Sequence, residues 1–82
     1  MDKHIVYILR SLKDSKYYYG STSNFNIRLK SHNYGRVKST KSRRPLVLHY
    51  KEEYKTKSEA VKRERFFKSI DGYLWLKEKK II

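Results

Sequence analysis

The sequence predicts an α/β fold of the α+β sandwich kind: a small three-stranded, mainly antiparallel sheet flanked by helices, in the order β-β-α-β-α-α. Three observations predict it. An apolar run, Ile5-Val6-Tyr7-Ile8-Leu9, is followed after a polar linker by Tyr17-Tyr18-Tyr19-Gly20, the pattern of a β-hairpin. The first run is apolar at nearly every position, so both of its faces need cover. Beyond the hairpin, helix-start signals and helical spacing stand on either side of one further strand-like run.

The chain of 82 residues has room for one domain, 1–82. A chain of this size buries roughly 60% of its unfolded surface, which permits a modest core but no deep substrate cavity. It has no cysteine, and this excludes disulfides and thiolate metal sites. No apolar run approaches the ~18 residues of a membrane span. Met1-Asp2-Lys3-His4 does not open a secretory signal. The expectation is a soluble, cytoplasmic protein without a membrane partner. Charge is the strongest global feature, with 21 Lys and Arg against 8 Asp and Glu and a formal net charge of +13. Such an excess repels itself unless the partner is a polyanion, and phosphate backbone is the usual one. Between Asp14 and Glu52 nine Lys or Arg occur and no acid.

Residues 4–10 are the doubly covered central strand. Tyr17 to Ser21 return beside it, with Tyr17 and Tyr19 on one face and Tyr18 on the other. Gly20 marks a bulge or the close approach of another group. Thr22 or Ser23 caps a helix from about Asn24 to Asn33, in which Phe25 and Leu29 face inward. Arg28 and His32, four apart, share a second face. Gly35 is a stop signal. Tyr34 to Arg44 form a polar, basic loop carrying Arg36, Lys38, Lys41, Arg43 and Arg44, and Pro45 ends it. Leu46 to Tyr50 read as a third strand, at least partly buried on both faces and closed by Glu52-Glu53. Thr56-Lys57-Ser58-Glu59 is a capping box, opening a helix to about Ser69. Ala60, Val61 and Phe67 lie on its inward arc, and Glu64 falls within the same arc. A carboxylate among core positions calls for a partner or a cation. Asp71-Gly72 is a break. A last helix, about Tyr73 to Lys80, sets Leu74, Trp75 and Leu76 against the body.

With these residues in view, the chain resembles the GIY-YIG nuclease superfamily, in its small stand-alone branch. Five segments carry the resemblance, in order over nearly the whole chain: Val6-Tyr7-Ile8-Leu9-Arg10-Ser11, Tyr18-Tyr19-Gly20-Ser21-Thr22, Arg28-Leu29-Lys30-Ser31-His32-Asn33, Lys38 through Pro45, and Lys57 through Glu64. The resemblance implies cleavage of a DNA phosphodiester with one divalent metal ion, Mg²⁺ or Mn²⁺. By it, Tyr7 and Tyr18 reach the phosphate or its attacking water, Arg28 is the helix arginine, Glu64 binds the metal, and His32 completes the pattern.

The chemistry is coherent. A metal on Glu64 polarises the phosphate and stabilises the departing oxygen, and such an ion keeps most of its waters. Arg28 offers a fixed fork of donors to phosphate oxygens. The base is left between Tyr7, which needs its pKa lowered from ~10, and His32, with its reference value near ~6.5. Arg36, Lys38, Lys41, Arg43 and Arg44 are expected on the phosphate backbone without regard to sequence. Three departures stand out. Ile5-Val6-Tyr7 replaces Gly-Ile-Tyr, Tyr19 replaces an aliphatic residue, and no asparagine follows Asn33, although many relatives use one after the glutamate helix. The expected function is a metal-dependent DNA endonuclease of low sequence specificity, in DNA repair or processing. The rival readings are a DNA- or RNA-binding module of the same fold with weak or no cleavage, and an RNA-associated protein whose tyrosines stack on bases. Oligomeric state is left open.

Overall fold

The computed structural model describes residues 3–82; what was expected of Met1-Asp2 falls outside that range. The chain runs β1 (His4–Ser11), β2 (Tyr17–Thr22), α1 (Phe25–Asn33), a short 3-10 turn (Lys41–Arg43), β3 (Leu46–Tyr54), α2 (Lys57–Phe67) and α3 (Ile70–Glu78). The strands form one sheet in the order β2-β1-β3. Both pairings are antiparallel, with a register shift between Ile8 and Leu9 against β3. The doubly apolar run is therefore the central strand.

Alternation along β1 divides the core into two layers. Val6 and Ile8 face α2 and α3, where Ala60, Phe67 and Leu76 close over them. Tyr7 and Leu9 face α1, with Leu46 buried beside them and Phe25 and Leu29 packed against them. Tyr17 and Tyr19 join the first layer and Tyr18 the second, as alternation along β2 requires. The first layer is tied to β3 by a polar network. Arg63 donates to both carboxylate oxygens of Glu52, at 2.8 and 3.2 Å, and the hydroxyls of Tyr50 and Tyr54 donate to the same carboxylate. The guanidinium also lies 4.4 Å from the centre of the Trp75 ring.

Several local expectations are corrected. Asn24, and neither Thr22 nor Ser23, caps α1: its side chain accepts from the Ile27 amide. Strand β3 continues past Tyr50 to Tyr54, and as an edge strand it leaves Val47, Leu48 and His49 exposed instead of buried on both faces. The helices separate at Lys68-Ser69, and Asp71-Gly72 lies inside the first turn of α3. Ser69 is the cap, accepting from the Gly72 amide at 3.0 Å. Gly72 serves close packing: a Cβ there would overlap the Phe66 carbonyl and lie 2.5 Å from its carbon. Leu74 points to solvent, while Leu76 is fully buried. The capping box holds, with Thr56 accepting from the Glu59 amide.

Candidate active site

The site grows from Tyr7, 1% exposed on the central strand. Its cross-strand neighbour on β2 is Gly20. A side chain there would overlap the Tyr7 hydroxyl and lie 2.5 Å from Cζ, so the missing Cβ lets the phenol ring lie across the edge strand. This is the close approach that the glycine signals.

The Tyr7 hydroxyl sits 3.1 Å from His32 Nε2 and accepts from Arg28 Nε at 3.4 Å. Arg28 and His32 reach it together because they stand one turn apart on α1. His32 is wholly buried, and its Nδ1 lies 2.8 Å from the hydroxyl oxygen of Thr40, itself wholly buried. The Thr40 hydroxyl points at the Val37 carbonyl, 3.4 Å away. With the threonine proton directed there, its oxygen accepts from Nδ1–H, and the Nε2 lone pair is left for the Tyr7 proton. A hydrogen-bonded line thus runs from Arg28 through Tyr7 and His32 to Thr40. Tyr18 closes the pocket from β2, its ring centre 5.0 Å from that of His32.

Glu64 approaches from the other layer. Ser21, next to Gly20 but turned to the opposite face of β2, donates to Glu64 Oε1 at 2.6 Å. Lys68 Nζ donates to Oε2 at 2.8 Å, one helical turn further on. Glu64 is close enough for its charge to raise the Tyr7 pKa. The hydroxyl, over Gly20, and the carboxylate, bound to Ser21, thus both lie against the edge strand β2. A cavity of about 300 Å³ lined by His4, Ser21, Thr22, Ser23, Lys57 and Ala60 opens at Ser21.

The electrostatics follow from burial and Arg28. Burial pushes the Tyr7 phenol above its usual value, and the hydrogen bond and charge of Arg28 offset this only in part. Tyr7 is thus a neutral phenol at physiological pH, although work as a base needs its pKa lowered. Burial, and then the Arg28 charge, depress His32 to about 4, so its imidazole is neutral. Burial raises the Glu64 carboxyl, but the bonds from Lys68 and Ser21 outweigh that and hold it below its usual range, ionised. Among the described residues no cluster of three or more His, Cys, Asp or Glu converges on one point. The donor set fits a hard cation that takes one carboxylate and completes its shell with water and substrate oxygens, as Mg²⁺ does.

The basic loop is less uniform than its composition. Arg36, Lys38, Lys41 and Arg44 are exposed. Arg43 turns inward, donating to the Tyr17 carbonyl at 3.1 Å and lying 3.5 Å from Asp14, so it pins the loop to the hairpin and is not free for a phosphate. Two contributors sit inside segments that carry the resemblance without being singled out as site residues: Thr40, in a polar stretch, and Ser21, whose hydroxyl reads as ordinary strand-end chemistry. Asn33 holds β3 through two bonds to the Leu46 backbone, at 2.8 and 2.9 Å.

Comparison with known proteins points to one family. A family model described as the GIY-YIG catalytic domain matches residues 3–72, a span that contains Tyr7, Tyr18, Arg28, His32 and Glu64. The UPF0213 protein SH2523 of Staphylococcus haemolyticus is 45% identical over 78 residues, 94% of each chain. The UPF0213 protein SERP0126 of Staphylococcus epidermidis is 51% identical over 65 residues, 78% of each chain. Among solved structures, that of the UPF0213 protein BH0048 from Bacillus halodurans aligns with a TM-score of 0.56 at 33% identity, over 95% of this chain and 85% of that one.

Proposed function

This chain belongs to the GIY-YIG catalytic-domain family of nuclease fold, and we propose that it is a divalent-metal-dependent endonuclease that hydrolyses DNA phosphodiesters with little sequence specificity. The observation that carries the reading is the line from Arg28 through the Tyr7 hydroxyl to the neutral imidazole of His32, 3.1 Å from that hydroxyl, with an ionised Glu64 on the other face of the same edge strand. Its place is DNA processing or repair.

Glu64, steadied by Ser21, would hold the metal on its carboxylate, with Lys68 displaced from Oε2. When bound, Mg²⁺ or Mn²⁺ supplies Lewis-acid polarisation of the phosphate and stabilises the leaving oxygen. Arg28, whose hydrogen bond to Tyr7 keeps it firmly charged, orients the scissile phosphate and concentrates positive charge where negative charge develops. Tyr7 takes the proton of the attacking water on its oxygen while its own proton passes to His32 Nε2. The water oxygen bonds to phosphorus as the P–O bond to the leaving sugar oxygen breaks, that oxygen takes a proton from solvent water, and the imidazole becomes imidazolium. A histidine at about 4 is a weak base, but docking the phosphate beside Arg28 offsets the charge that helps depress it. The imidazolium is held through Nδ1 by Thr40. Arg36, Lys38, Lys41 and Arg44 supply sequence-independent attraction for the backbone. A module of this size covers only about 600–1,000 Å² of DNA, which suits recognition of structure or ends over a long site.

One observation favours the alternative of a binding module with weak cleavage: Lys68 already satisfies the carboxylate that the metal requires. A single panel decides. Duplex, single-stranded and branched DNA and RNA are incubated with Mg²⁺, Mn²⁺ or EDTA, beside Glu64→Ala and Arg28→Ala. Metal-dependent cleavage by the parent protein alone is expected. Binding without cleavage above the Glu64→Ala level refutes the nuclease reading.

A further inference from the structure

A second concave region lies away from Tyr7 and Glu64, between the hairpin turn and the basic loop. It has a volume of about 510 Å³ and is lined by Lys13, Asn33, Lys41, Ser42, Arg44 and Pro45. Three cations face it and no carboxylate lines it. Asp14, next to Lys13 in the chain, is engaged elsewhere: its carboxylate accepts from the Lys16 amide at 2.9 Å and lies 3.5 Å from Arg43 Nε. Two of the cations are held in place by backbone carbonyls, which orient them without neutralising them. Lys13 Nζ donates to the Ser42 carbonyl at 3.0 Å, and Arg44 Nε donates to the Lys41 carbonyl at 2.8 Å. Gly35, at φ 78°, makes room for the guanidinium, since a Cβ there would lie 2.8 Å from Arg44 Nη1. Asn33 is only a wall, its amide fully engaged by Leu46. Gathering like charges at one pocket is repulsive until an anion enters.

We propose that this pocket is a phosphate subsite, in which Lys13, Lys41 and Arg44 take an internal backbone phosphate of the strand being cut. It takes its substrate from the nuclease reading and adds a second anchoring point to it. Asn33 lies five residues beyond Arg28 on α1, about 7–8 Å along the helix axis. The pocket therefore lies within a few nucleotides of a phosphate held by Arg28. The subsite fixes the strand relative to Arg28 and reads no base. Lys13 comes from the hairpin turn, outside the basic loop that the sequence singles out.

Binding tests this without any cleavage. In a Glu64→Ala background, affinity for a short duplex is measured against salt for Lys13→Met, Arg44→Met and, as a remote control, Lys62→Met on α2. The first two are each expected to flatten the log–log salt slope by about 0.9, one phosphate contact, and the control to leave it unchanged. A methylphosphonate walked along the strand then locates the contact. One position away from the cut should weaken the parent and have no further effect on Lys13→Met. Equal slopes for all three variants, or a scan that looks alike in both proteins, overturns the subsite, as does Lys13-dependent binding of orthophosphate with no effect of Lys13→Met on the duplex. The outcomes separate cleanly from those of the cleavage panel. Coupling at one phosphate with no cleavage by the parent leaves the subsite standing and removes the nuclease reading, and cleavage without coupling does the reverse.

Discussion

Replacing Thr40 by valine keeps the shape of a fully buried side chain and removes the oxygen that His32 Nδ1 meets at 2.8 Å. His32 is wholly buried too, so water cannot take over. If the tautomer stays, Nδ1–H is a buried donor without an acceptor. If it flips, Nε2–H faces the Tyr7 hydroxyl, which can no longer pass its proton there. Either state costs about 1–3 kcal/mol, the penalty of one unsatisfied buried polar group. In a domain of this size each kcal/mol lowers Tm by roughly 4–8 °C. On the proposed mechanism the flipped tautomer also disables the base, and the expected loss in kcat is about 100-fold or more, within the range of general-base catalysis. Thr40→Ser, which keeps the oxygen, should recover most of the rate. Long-range ¹⁵N–¹H correlation of the imidazole reads the tautomer directly, denaturant unfolding reads stability, and initial rates read chemistry. A valine variant that keeps Nδ1–H and the parent rate refutes the relay. A serine variant as poor as the valine variant shows that packing, and not the oxygen, matters.

Four further outcomes follow from the same geometry. His32 is depressed from 6.5 to about 4 in the folded protein, so between those values the unfolded chain binds the proton more readily. Stability is complete above about pH 6.5 and falls by about 3 kcal/mol as pH drops towards 4. Urea unfolding across that window should show the slope, and His32→Gln should flatten it; an unchanged slope refutes the assignment. Gly20→Ala forces the Tyr7 ring off its bonds to His32 and Arg28, costing about 1–3 kcal/mol and lowering kcat far more than DNA affinity. Gly72→Ala drives a Cβ into the Phe66 carbonyl and should lower Tm more than Gly20→Ala does. Lys68→Met frees Glu64 Oε2 and should tighten Mn²⁺ binding measured calorimetrically on the protein without DNA; weaker binding would show that Lys68 assists the metal instead of competing with it.

The hairpin, the central strand and the inward Glu64 were legible because period and capping chemistry encode them locally. An unbroken apolar run can only be central, and an acid on a core arc must find partners. Gly20 was half legible: a glycine in a strand signals close approach, but its partner is fixed by cross-strand register with Tyr7. Gly72 misled for a related reason. Read as a breaker, it is a point where α3 passes within contact of the end of α2, and the true break was carried by the cap Ser69. Arg43 and Arg44 are adjacent and chemically identical, yet one is pinned inward and the other faces the basic pocket. Nothing in a loop without periodicity distinguishes them. Thr40 was illegible because its meaning lies in a tertiary bond to His32, eight residues back across a turn.

The placement of Gly20 and Ser21 explains why so small a chain can bring these groups together. Tyr7 belongs to the layer under α1 and Glu64 to the layer under α2, with the sheet between them. Two groups on opposite faces of a sheet can reach one phosphate only around an edge, and β2 is the edge beside them. On that strand two consecutive residues do opposite work. Gly20 removes its side chain so that the Tyr7 hydroxyl reaches the rim from one face, and Ser21, pointing the other way, draws the Glu64 carboxylate to the rim from the other. The period of two along a strand makes this pair inseparable. A one-residue slip of β2 against β1 would put a side chain over Tyr7 and turn the hydroxyl away from Glu64 at the same stroke. The tyrosines of the hairpin are interchangeable as sheet residues; the Gly-Ser step is not.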